Sequence, residues 1–203
     1  MSFLALFGLA GWQSKDTGKS VKAVAAIDNQ PLLARIATEA SNEHTRIAAI
    51  RKLDRQHTTL LIKAATEDKN MKVCLAAVEQ LEDETALAQV ARHCWADLIP
   101  LVISKLNDPL LLADVAIRCS HKQMGLLALE RMDDSQQCMF AEIVKSLAAN
   151  GDEEIARHER LTGKKLERFH KADVAEAAME RLTDSALLVD LAAENSRSDW
   201  VRL

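Results

Sequence analysis

Aromatic residues make up only 3 % of this 203-residue chain, and tyrosine is absent. Strands draw on aromatic and β-branched side chains to fill a pleated face, so the scarcity argues against a sheet-dominated fold. Six glycines and three prolines leave few places where an element must break. No apolar run approaches the roughly 20 residues that a helix needs to cross a bilayer. The net charge of −4 gives no whole-molecule attraction to nucleic acid or to an anionic membrane. The four cysteines, Cys74, Cys94, Cys119 and Cys138, include no CxxC pair. No GxSxG and no glycine-rich dinucleotide loop occurs. His158-Glu159 fails to extend to HExxH, because Thr162 stands where the second histidine belongs. These absences leave no catalytic residues, cofactor or metal to assign, and a non-enzymatic role is expected.

What is present is helix-forming sequence with a period. Runs such as AVAAI, IAAI and LAAV are rich in good helix formers. Residues 105–116, KLNDPLLLADVA, contain the recurring phrase. Leu106 closes one helix, and Asp108 can cap the next by accepting its free backbone N–H groups. Pro109 takes the first helical position, where its missing N–H costs nothing. Leu111, Leu112, Val115 and Ala116 then form one apolar stripe. Ile27 with Asn29 and Ala37, Leu81 with Asp83 and Ala91, and Leu182 with Asp184 and Ala192 repeat the phrase. Leu53 and Met132, the latter with Asp134 as its cap, head looser copies.

The anchors Ile27, Leu53, Leu81, Leu106 and Met132 are spaced by 26, 28, 25 and 26 residues, and Met132 to Leu182 is 50. The double interval places a degenerate unit between them, anchored at Leu161. A period in this range marks stacked repeats. The expected fold is all-α, an α-solenoid of about seven short two-helix repeats. Residues 1–19 form an N-terminal apolar arm and cap, and 20–203 the array. The degenerate unit lies near 151–171 and the last unit is incomplete at 200–203.

The arm, MSFLALFGLAGW, lacks a charged n-region and a cleavage site, so it does not read as a signal peptide. It is expected to cover the open end of the first unit. Gly18-Lys19-Ser20 has the outline of a phosphate-binding loop, but Gln13 stands where that motif needs its first glycine. Asp16 or Thr17 instead caps a helix, and Lys19 faces solvent. Asp97 can likewise cap the helix that contains Pro100. Cys94 and Cys119 occupy equivalent positions and could neighbour each other. Small apolar residues on helix faces in a reducing compartment account for the cysteines better than a metal site or disulfide.

Two charged patterns remain. Lys52, Lys105, Arg131 and Arg181 each precede an anchor, with Asp108, Asp134 and Asp184 three residues after three of these bases. They form either a charged ladder for a partner or, as favoured here, a solvated face of weak ion pairs. Residues 151–171 hold the chain's one basic concentration, Arg157, Arg160, Lys164, Lys165, Arg168 and Lys171. It is the candidate anion- or partner-contacting patch. Phe169 is its only aromatic residue, which gives single strands little to stack on.

Two-helix units with an aspartate at the corner resemble HEAT-like α-solenoid proteins. A closer resemblance is to the N-terminal repeat region of bacterial proteins containing the domain-of-unknown-function 349 family. It rests on Trp12-Gln13-Ser14-Lys15-Asp16, AAIRKLD, LEDETALAQVA and LTDSALLVDLA. These readings together imply a cytoplasmic scaffold for protein–protein interaction, partner unnamed, with no membrane span. The alternative is a nucleic-acid-associated module related to helical-repeat DNA glycosylases. The final residues, Trp200-Val201-Arg202-Leu203, look like the start of another first helix, so the chain reads as part of a longer protein. The apolar edge at Leu187, Leu188 and Leu191 would then be covered by further units or by self-association.

Overall fold

A computed structural model describes residues 11–118, 122–147 and 169–195, and all of the regular structure in them is helical. No helix among them is long and apolar enough to cross a membrane. The arm through residue 10, Cys119, the segment 148–168 with its anchor Leu161, and the final residues 196–203 lie outside the described residues. The chain divides into two compact units, Met1–Lys105 and Leu106–Leu203.

In the first unit, α1 (Thr17–Ala25), α3 (Glu43–Lys52), α5 (Met71–Gln80) and α7 (Ile99–Ser104) are the helices that lead into anchors. Between them lie α2 (Gln30–Glu39), α4 (Thr58–Glu67) and α6 (Glu84–Ala91). α1 packs on α3 and α3 on α5, while α2 pairs with α3 and α4 with α5 as antiparallel hairpins. The second unit holds α8 (Pro109–Arg118), α9 (Lys122–Arg131), α10 (137–147), α11 (Phe169–Glu180) and α12 (Ser185–Asn195). There α8 packs on α9, and α9 on α11.

The anchors earn their place by burial. Ile27, Leu53, Leu81, Leu106, Met132 and Leu182 are all at most 6 % exposed. Each sits where a helix ends, so one apolar residue is buried at each corner. The caps follow the sequence. Asn29 accepts from Leu32 N (2.9 Å), Asp83 from Thr85 N (2.8 Å), Asp108 from Leu110 N (2.8 Å) and Asp184 from Ala186 N (2.9 Å). Asp16 caps α1 through Lys19 N (3.1 Å), and Lys19 is exposed. The Gly18-Lys19-Ser20 stretch is therefore the first turn of a helix. Ser20 is buried and bonded to the Thr45 hydroxyl at 2.7 Å, which leaves it no phosphate to meet.

Two corners differ from expectation. At Met132 neither aspartate caps a helix: α10 starts only at residue 137, Asp133 Oδ1 accepts from Ser135 N (2.8 Å) in the turn before it, and Asp134 turns to Arg181. The helix begins too late for either aspartate to cap it, and the distant guanidinium takes the second. Asp97 does not cap the helix of Pro100. It lies inside a 3₁₀ turn, Ala96–Leu98, and α7 starts without a side-chain cap. Leu53 is likewise followed by a 3₁₀ turn, Arg55–His57, which absorbs the extra residue of that copy.

Candidate functional site

The predicted basic patch lies almost wholly beyond the described residues. Arg157, Arg160, Lys164, Lys165 and Arg168 are outside them, and Lys171 is placed only as a backbone position in the first turn of α11. The geometry on view belongs to the other charged pattern, the bases that precede the anchors.

These four bases do not form a solvated ladder. Each reaches back to the preceding corner and donates to backbone carbonyls there. Lys52 Nζ meets Ala25 O (2.7 Å) and Asp28 Oδ1 (3.1 Å). Lys105 Nζ meets Val78 O (2.9 Å), Glu79 O (2.9 Å) and Leu81 O (2.6 Å). Arg131 Nη2 meets Leu106 O (3.1 Å) and Asn107 Oδ1 (2.9 Å). Arg181 meets Leu129 O, Met132 O (2.8 Å) and Asp134, and its guanidinium lies 4.6 Å from the Phe140 ring centroid. The last carbonyls of a helix have no partner within it and carry the negative end of its dipole. A cation delivered from a later helix end answers both needs at once. Burial pushes the Lys105 ammonium below its ordinary pKa, with Glu82 and Glu79 opposing. Of the three aspartates expected to pair with these bases, Asp134 does so, across to Arg181. Asp108 and Asp184 cap helices.

A second device was missed by the sequence reading. The Gln30 amide straddles the anchor Leu53: Nε2 donates to Lys52 O (3.1 Å) and Oε1 accepts from Asp54 N (2.9 Å). Gln137 straddles Leu182 in the same manner, donating to Arg181 O (3.0 Å) and accepting from Thr183 N (2.7 Å). An amide carries a donor and an acceptor on one plane, so it can clasp the polar groups on either side of a buried residue. The available signal was a glutamine opening the helix after an anchor in both copies. A third device is the pair Arg46–Asp68, bidentate at 2.8 and 3.0 Å with both side chains largely buried. Arg46 also holds Ala40 O at 2.8 Å.

Nothing among the described residues gathers three or more His, Cys, Asp or Glu into a group able to hold a metal ion. Cys74 and Cys94 are buried thiols. Burial pushes Cys94 up to about 11 and raises Cys74 as well, so both stay protonated at neutral pH. Cys138 is exposed. At the edge predicted to be open, Leu188 and Val189 are exposed (37 % and 67 %), Leu187 is partly so, and Leu191 is buried. The chain was compared with protein-family models, curated proteins and solved structures, and none of them matches it.

Proposed function

We propose that this chain is a non-enzymatic, HEAT-like helical-repeat scaffold for protein–protein interaction in the cytoplasm. The observation that supports it most is where the charged side chains go. In both units the bases before the anchors are spent on the carbonyls of the neighbouring repeat, and the amides of Gln30 and Gln137 on the next anchor. Side chains used this way hold a stack in register and leave the outer helix faces to differ from repeat to repeat. Stacked repeats with varied outer faces present an extended surface of the kind that grips proteins. The buried, protonated thiols of Cys74 and Cys94 fit a reducing compartment.

The test is affinity capture from the host that encodes the chain, with mass spectrometry. A hydrogen-exchange footprint then compares the free chain with its complex. One protein enriched over the bead control, protecting outer helix faces, is the expected result. Enrichment of nothing but nucleic acid would transfer support to the nucleic-acid module. Enrichment of neither would refute the scaffold.

A further inference from the structure

We infer that the outer face of the first helices in the N-terminal unit, centred on Ile47, docks an acidic amphipathic segment of the partner protein. The inference rests on the scaffold reading. On α1, α3 and α5 the residues nine, six and two before the anchor share one side of the helix, because steps of three and four stay on one face. The outermost of these are exposed: Gly18 and Ala25, His44 and Arg51, Lys72 and Glu79. The position six before the anchor is a branched aliphatic residue in all three helices. Val21, Ile47 and Leu75 are each only half-buried there.

The register that lines them up is fixed by side chains. Asn42 donates to the Thr17 hydroxyl (2.6 Å), and Ser20 bonds Thr45 (2.7 Å), between α1 and α3. Arg51 faces Glu79 (3.9 Å) between α3 and α5. Neighbouring helix axes lie about 8–10 Å apart, so the three aliphatic residues span about 20 Å. That length matches about 13 residues of a docked helix at 1.5 Å each. Met71, 39 % exposed, begins α5 on the same side.

The charge around the row selects the partner. Glu43 and Glu79 lie beside His44 and Arg51. Lys22 and Lys72 are exposed and form no ion pair among the described residues. The face therefore carries positive charge beside an apolar row, which complements a helix with one apolar stripe flanked by carboxylates. A phosphate backbone would engage the lysines and leave the aliphatic row without a use.

The full chain can be titrated with a fluorescein-labelled 14-residue helical peptide bearing leucines on one stripe and glutamates beside it. A counterpart with lysine for glutamate and a 14-nucleotide oligo-dT serve as the comparisons. The glutamate peptide is expected to bind at least tenfold more tightly than either. Ile47→Glu should cut that binding at least tenfold. Lys22→Glu with Lys72→Glu, both exposed and so tolerated by the fold, should reverse the preference between the peptides. Arg35→Glu with Lys63→Glu, on the outer faces of α2 and α4, should leave it unchanged. Equal binding of the two peptides, binding of neither, or equal binding of oligo-dT would overturn the inference. If the captured partner binds the Lys22/Lys72 variant as well as wild type, the scaffold reading stands and this face is not its site.

Discussion

Replacing Lys105 with methionine removes one ammonium and little else, because the methionine stem covers the same apolar ground. The structure sets the size of the effect. Three carbonyl oxygens at the end of α5 and its corner, those of Val78, Glu79 and Leu81, lie 2.6–2.9 Å from Nζ. A hydrogen bond to a charged group contributes about 1.5–3 kcal/mol, but the three share one charge and the ammonium gives up water to make them. The partial charge at the helix end adds about 0.3–1 kcal/mol. The net loss should be about 2 kcal/mol, read as a lower urea midpoint with an unchanged slope. Lys63→Met is the control. Its ammonium stands exposed, 3.9 Å from Glu67 one turn away, and its loss should change stability by less than about 0.5 kcal/mol. If Lys105→Met behaves like Lys63→Met, the carbonyl contacts contribute nothing, and the reading of all four bases as joints between repeats fails.

Leu106→Ala should lose about 2–5 kcal/mol, since the side chain is fully buried; a loss under about 1 kcal/mol in the same titration would contradict its anchor role. Gln80 stands where Lys52, Lys105, Arg131 and Arg181 stand in other copies, so Gln80→Lys should supply the missing joint to the end of α3 and raise stability by about 0.5–1 kcal/mol. The Thr85 hydroxyl and backbone N–H hold Asp83 below its ordinary pKa of 3.8, so its capping contribution is complete above that value and is lost as pH falls through the lower folded one. Melting temperature from pH 5 to pH 2 should therefore fall less steeply in Asp83→Asn, which caps without titrating; equal slopes would refute this. Any salt-sensitive binding to duplex DNA should vanish when Lys164, Lys165 and Arg168 are reversed to glutamate, and survival of that binding would remove 157–171 from consideration.

The helices and their corners were legible because they depend on nearest neighbours in sequence. An apolar residue, an aspartate or asparagine two positions on, and a proline or good helix former after it encode a helix end and a helix start in a few residues. Leu106, Asp108 and Pro109 do this without help from elsewhere. Asp97 and Asp134 show where such local reasoning gives out. The turn before Pro100 winds as 3₁₀, so Asp97 never reaches the helix start. α10 starts three residues beyond Asp134, too late for it to cap, and Arg181 takes its carboxylate. The joints were illegible for a related reason. A lysine or arginine at a helix end usually belongs to the solvent, and only the carbonyls brought within 3.1 Å of it by another repeat give it a different task.

The interval from Met132 to Leu182 marks the limit of reading architecture from a period. Fifty residues is two periods, and a spacing argument fills it with a unit anchored at Leu161. That anchor lies outside the described residues, and the described contacts join the segments on either side of it. Arg181 holds Leu129 O and Met132 O, Gln137 clasps both sides of Leu182, and Lys122 pairs with Asp173. Lys52, Lys105 and Arg131 reach back about one period; Arg181 reaches back two, to the corner at Met132. So α11 packs directly on α9, two periods away in sequence. A segment of one whole period preserves the phase of the anchors whether it joins the stack or leaves it. Periodicity reports phase, and adjacency has to be read from which carbonyls each base meets.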